Sequence, residues 1–233
     1  MKVIGLSSDI LYKTVPPTSK KIFKIFRKIN CRAVEIHCPA SELSSLERID
    51  PADLQGFTHV SLHLPSRGII YDNNSKTKRI LELIQRTKEK LNFKWVIVHP
   101  HKVKNWNIFK NCSFTVAVEN MDYKRNFGKN VEDLKKIFKN TFLKFILDIN
   151  HCFTNDRSLK LVDDLYKNFK DKLCEIHVSG FIKNHEPLHL TKQKKILQAI
   201  PDCTCPIIIE SVCLNEDQLK KEFTYINNFF HAS

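Results

Sequence analysis

Seven short apolar runs in this chain end, one after another, on a side chain that can ligate a cation or move a proton. They are VEIH (Glu35, His37), HVSLH (His63), WVIVH (His99), TVAVE (Glu119), FILD (Asp148), CEIH (His177) and IIIE (Glu210). The chain holds 10 histidines and 25 acidic residues in 233. By chance roughly one strand end in seven would carry such a group, even with boundaries uncertain by about two residues. Seven in succession point to one shared site at one end of a sheet.

Glu119, Asp148, His177 and Glu210 offer three carboxylates and an imidazole. Three anions crowded together repel one another and raise their pKa values unless a cation sits among them. A divalent metal resolves the conflict: Mn, Mg or Co suits the carboxylates, and the imidazoles admit Zn or Fe. For each residue alone the rival reading is a strand cap or a partner for a lysine. His151 follows Asp148 by three residues in LDINH, so both can lean over one mouth, as ligand of a second ion or as support. His63 and His99 are each followed closely by proline, which turns the chain out of the sheet. With His185 in NHEPLH they are further candidate ligands, giving one to three ions, whereas His101 and His189 read as outer or surface residues. Lys183, Arg67 and Lys102 are candidates to hold a substrate hydroxyl or phosphate, against the simpler reading of solvated charge.

The elements that must position these groups are legible between the runs, where apolar residues recur at three- and four-residue spacing as in helices packed by one face. Thr18 and Ser19 can cap a helix carrying Ile22, Phe23, Phe26 and Ile29 inward. Ser75 precedes a longer one with Ile80, Leu83, Ile84, Thr87 and Leu91 inward. Others begin near Asn130, Asp156 and Asn215, and shorter turns fit 41–49, 104–110 and 192–200. A first strand at 3–6 completes eight strands in strict alternation with about eight helices. This order predicts an α/β chain folded as a single (β/α)8 TIM barrel over residues 1–233, with its site at the C-terminal strand ends. An open doubly wound sheet normally carries a Gly-rich phosphate turn, and five glycines without G-x-G-x-x-G or G-x-x-x-x-G-K leave nothing to build one.

The net charge of +13 and pI near 9.4 would suit a polyanionic partner. The lysines, however, are dispersed along helix faces, and no aromatic-interleaved basic stripe appears. The start, MKVIGLSS, enters a strand without the regions of a signal peptide. No apolar run approaches ~18 residues, so the expectation is a cytoplasmic protein with no membrane contact. Eight cysteines without a C-x-x-C pair read as reduced thiols. Cys203-x-Cys205 is the one spacing that would serve as a redox or metal pair.

The runs SLHLP, VIVHPH, AVENM, LDINH, EIHVS, HEPLH and IIIES, in this order and each at its own strand, resemble the strand-end motifs of the xylose isomerase-like TIM-barrel superfamily. That superfamily holds sugar isomerases and epimerases together with AP endonucleases of the endonuclease IV type. The isomerase branch implies a metal held by Glu119, Asp148, His177 and Glu210, with Glu119 and Glu210 as acid and base around an enediolate of a small sugar or polyol, phosphorylated or not. The endonuclease branch implies three zinc ions on His63, His99, Glu119, Asp148, His151, His177, His185 and Glu210, and a DNA phosphodiester as substrate. Lys183 stands where the endonuclease pattern has an aspartate, and HLTKQ stands where the isomerase pattern has Gly-Glu-Gly. The sequence reading puts the isomerase or epimerase first, the AP endonuclease-like phosphodiesterase second and a metal-binding barrel without turnover third. It leaves the oligomeric state open.

Overall fold

Within each apolar run alternate residues face opposite sides of a strand, and a barrel buries both sides. In a computed structural model describing residues 2–231, eight such runs pair in parallel and in chain order. They are β1 (Ile4–Ser7), β2 (Ala33–His37), β3 (His59–His63), β4 (Trp95–Val98), β5 (Thr115–Glu119), β6 (Lys144–Asp148), β7 (Leu173–Val178) and β8 (Ile207–Ile209). β8 closes back onto β1, Ile4 facing Ile207 and Leu6 facing Ile209. The architecture is the expected (β/α)8 barrel. Gly5 and Ala33 pair side by side, and a Cβ on Gly5 would lie 2.5 Å from that of Ala33, so this register requires glycine.

The outer faces of the strands, such as Val34, Ile36, Val96, Val98, Val116 and Val118, join one continuous core with the surrounding helices. Those helices are α1 (Lys20–Lys28), α2 (Ser75–Leu91), α3 (Val131–Phe138), α4 (Ile149–Asn155), α5 (Lys160–Phe169), α6 (Leu188–Thr191), α7 (Lys194–Gln198) and α8 (Glu216–His231). Spacing forecast their buried faces well: Ile22, Phe23 and Phe26 of α1, Ile80, Ile84 and Leu91 of α2, Leu219, Phe223 and Ile226 of α8. Asn130 caps α3 by accepting from Asp133 N at 2.9 Å, while α2 is capped by Asn74, one residue before Ser75. Each such cap contributes about 1 kcal/mol.

Alternation is not strict. After β2 and β4 the connections are 3₁₀ turns (Ala40–Arg48, Pro51–Leu54; Pro100–Lys102, Trp106–Phe109). Glu42 leaves helical geometry and prolines restart the chain at 51 and 100, so no run is long enough to propagate an α-helix. Two short helices, α4 and α6, are additions to the sequence reading. No helix among the described residues is long and apolar enough to cross a membrane, and the eight cysteines, Cys203 and Cys205 included, are unpaired.

The barrel interior is divided. Ile97, Ala117 and Ile146, with Trp95 and Cys174 against them, make a small apolar plug. The rest is filled by buried polar side chains: Ser7, Glu35, His59, Ser61, Glu175 and His177.

Candidate metal centre at the barrel mouth

Parallel pairing brings the strand ends to one mouth, with Asp148 in register beside His177. Each of Glu119, Asp148, His177 and Glu210 offers a ligand atom within 4.8 Å of the others, and His63, His99 and Glu119 form a second such group; Glu35 enters two more, one with Glu175 and His177 and one with His63 and Glu210. Glu119 is shared. Its Oε2 lies 3.2 Å from His63 Nε2 and 2.9 Å from His99 Nε2, while its Oε1 lies 3.4 Å from His177 Nδ1 and 3.5 Å from His151 Nδ1. Glu210 Oε1 approaches the same His177 Nδ1 to 3.3 Å. With a side chain 14% exposed against 1% for Glu119, Glu210 is the more open carboxylate.

Local hydrogen bonds set which nitrogens are free. His63 Nδ1–H donates to Leu64 O at 2.9 Å and His151 Nδ1–H to Asn120 O at 2.8 Å. A carbonyl can only accept, so Nε2 is the nitrogen that offers a lone pair whenever either ring is neutral, as a cation bound there would require. Asp148 Oδ1 accepts from His151 N at 2.7 Å as the N-cap of α4, which is how a candidate ligand and a helix start share one residue. Asn120 clamps the Asp148 backbone from both sides, accepting its N–H at 2.8 Å and donating to its carbonyl at 3.0 Å. Asp148 Oδ2 and His177 Nδ1 are left buried without a hydrogen-bond partner. Orphaned buried atoms are costly, and here two of them face into a set of three carboxylates and an imidazole, so the donor set fits a divalent cation.

The electrostatics follow from burial opposed by neighbours. Burial pushes Asp148 well above the usual carboxylate range. Burial opposes ionisation of Glu119 too, but the imidazoles of His99, His177 and His63 outweigh it and hold the carboxyl well below that range. Glu210 is likewise held low against burial, mainly by His177. His63 is held up to about 10, Glu119 prevailing over burial, whereas burial takes His99 down to about 4.

The remaining expectations divide. His151 and His185 stand together with ring centroids 5.6 Å apart, yet fall outside all four candidate metal groups. His185 Nδ1 lies 3.0 Å from Ser179 Oγ. Arg67 and Lys183 are exposed on the loops after β3 and β7 and Lys102 is half-buried in the turn after β4, none of them in an ion pair among the described residues. His189 is pinned by Glu222, which also accepts from Ser211 and the backbone of Leu188, a structural role. Glu35 and His37 end the first of the seven apolar runs and match no ligand position in either branch of the resemblance; at most they would be rim residues, and for Glu35 the structure corrects this. Its side chain is fully buried beneath the mouth, accepting from Ser7 Oγ at 2.8 Å and reaching within 3.3 Å of His177 Nε2.

Sequence reasoning missed Glu175 and His59. Glu175 Oε1 accepts from His177 at 2.9 Å and Ser61 at 3.2 Å, and Oε2 accepts from His59 at 2.6 Å and Trp95 Nε1 at 3.0 Å. The signal was present: period two puts Glu175 on the inward side with His177, and His59 and Ser61 on it with His63.

No family model matches the chain, and no curated protein does. Solved structures do. The 3-keto-D-glucoside 4-epimerase of E. coli superposes with a TM-score of 0.66 at 12% identity, over 98% of this chain and 100% of that one. D-psicose 3-epimerase of Clostridium cellulolyticum H10 gives 0.64 at 12% identity, covering 98% of each chain. A family 2 AP endonuclease of Brucella melitensis gives 0.66 at 12%, over 97% of this chain and 98% of that one. At such identities the likeness establishes the fold alone, a (β/α)8 barrel.

Proposed function

We propose that this chain is a metal-dependent phosphodiesterase resembling an AP endonuclease and acting on DNA. The observation that carries the reading is the Glu119 carboxylate, whose two oxygens face two different candidate metal groups. Adjacent cations suit displacement at phosphorus, where charge grows on several oxygens at once. His63, His99, Glu119, Asp148 and His177 would hold the cations, which when bound would supply positive charge against the phosphoryl oxygens. The protein's part is to hold Glu119 ionised between the two groups, to aim His63 Nε2 through the Nδ1–H bond to Leu64, and to fix His177 from below through Glu175. Glu210, the more open carboxylate and held ionised, is placed to accept a proton from an attacking water. The charge of +13 favours a polyanion.

A sugar epimerase is the second reading. It is favoured by Glu119 and Glu210 both approaching His177 Nδ1, an arrangement able to flank one substrate carbon, and by the epimerase neighbours. Metal content per chain after stripping and reloading, together with assays on abasic-site duplex and on ketohexoses, separates the two. Two or more tightly held ions with strand cleavage lost in Glu119→Gln is the expected result. One exchangeable ion with sugar turnover would overturn it.

A further inference from the structure

Five of the eight large apolar side chains left exposed among the described residues stand on loops at the mouth end of the barrel: Tyr12, Ile70, Tyr123, Ile182 and Leu214. Cations accompany them, with Lys13 Nζ 6.0 Å from the Tyr12 ring and Lys124 Nζ 5.7 Å from that of Tyr123. The chain has no such grouping in sequence; closing the barrel brings these separate loops to one end.

One part of this face is a groove of about 490 Å³, lined by Tyr123, Thr154, Arg157, Phe181, Ile182 and Lys183. The Tyr123 and Phe181 rings meet edge to face with centroids 6.3 Å apart, and the Arg157 guanidinium lies 4.8 Å from the Phe181 ring. The walls are held before any ligand arrives. Gln193 clamps Phe181 by accepting its N–H and donating to its carbonyl, both at 2.8 Å. The Glu186 carboxylate accepts the backbone N–H groups of Ile182, Lys183 and Asn184. Thr154 Oγ1 accepts from Tyr123 N at 3.2 Å and donates to His151 O at 2.8 Å, tying the groove to the metal centre.

An exposed aromatic, a planar guanidinium and a free ammonium around one preorganised groove match a flat π-system bearing phosphates. We propose that this groove stacks one unpaired base of a DNA strand, with Arg157 and Lys183 on the flanking phosphates, beside the phosphodiester presented to the metal centre. The inference rests on the phosphodiesterase reading above. Neutral sugars would use neither cation.

The test is binding without turnover: fluorescence anisotropy of a labelled single-stranded oligonucleotide of about 12 nucleotides, with full-length protein kept metal-free in EDTA. Tyr123→Ala is expected to weaken affinity about 5- to 100-fold, with Tyr123→Phe close to wild type, since stacking needs the ring and not the hydroxyl. Lys183→Ala should lower the slope of log affinity against log salt by about one. Tyr123 is 50% exposed, so unchanged thermal melting checks that the variants fold. Unchanged affinity in both Tyr123→Ala and Arg157→Ala overturns the groove, even if wild-type protein cleaves abasic duplex. Weakened binding in the variants, with no cleavage of any DNA by metal-loaded wild type, keeps the groove and removes the phosphodiesterase reading.

Discussion

Two carboxylate–imidazole clusters lie stacked inside this barrel, and they differ in how far their polar atoms are satisfied, Glu35 Oε2 being the one carboxylate oxygen of the lower cluster left without a partner. Around Glu175 both oxygens accept two hydrogen bonds each, from Ser61 and His177 on one and from His59 and Trp95 on the other. Around Glu119 and Asp148, a few ångströms nearer the mouth, Asp148 Oδ2 and His177 Nδ1 have no partner. Residue types are nearly the same in both. A closed network of this kind holds a structure together, whereas an open one is short of something that must come from outside. His177 belongs to both, bonded below and unpartnered above, so the lower cluster aims the upper one, as supporting carboxylates do behind metal-bound imidazoles.

The contrast can be broken most forcefully from below. Glu175→Ala strands two imidazoles and an indole N–H in a dry interior, and urea denaturation of the metal-free protein should show a loss of about 3–5 kcal/mol, with metal affinity falling about 10- to 100-fold because His177 is no longer held from below. At the mouth the pattern reverses. Saturating Mn²⁺ or Zn²⁺, at about 100 times its dissociation constant, should raise wild-type stability by about 2.7 kcal/mol. Asp148→Asn should remove most of that gain while costing the metal-free protein little, because asparagine caps α4 as well as aspartate does.

Acid sharpens the same distinction. Hydrogen bonds from His177 and His59 overcome burial and hold the Glu175 carboxyl down to about 2. With its folded value below its unfolded one, the stability it contributes is present above the ordinary carboxylate pKa and lost as pH falls toward the folded value. Wild type should therefore lose its advantage over Glu175→Gln by about 2 kcal/mol between pH about 6 and pH about 3, followed by urea midpoints. The smallest effect is expected for Ser61→Ala, which removes one of four donors to Glu175 and should cost about 1 kcal/mol without altering metal affinity.

The mouth was legible in the sequence because parallel strands deliver their C-terminal residues to one place, so position along each run stood in for position in space. Glu119, Asp148, His177 and Glu210 needed nothing more than that rule. The lower cluster was hidden because a strand's last residue draws attention that its third-last does not, although Glu175, Ser61 and His59 share the inward side with His177 and His63. Helix α4 escaped because it is seven residues long and its cap is Asp148, already read as a strand end. The basic, aromatic rim escaped because its members lie on loops far apart in the chain. Only closure makes them neighbours.

Asp148 ends one strand, starts one helix and lends its second oxygen to the mouth. Mechanically this makes the first turn of α4 a lever with its fulcrum in the ligand set. Any load that draws on Oδ2 is felt by the amide of His151, and from there by Thr154, which bonds the His151 carbonyl and the Tyr123 amide. Such coupling runs both ways and with equal strength, so a cation taken up at Asp148 and the set of the loop that carries Tyr123 would be two readings of one gauge.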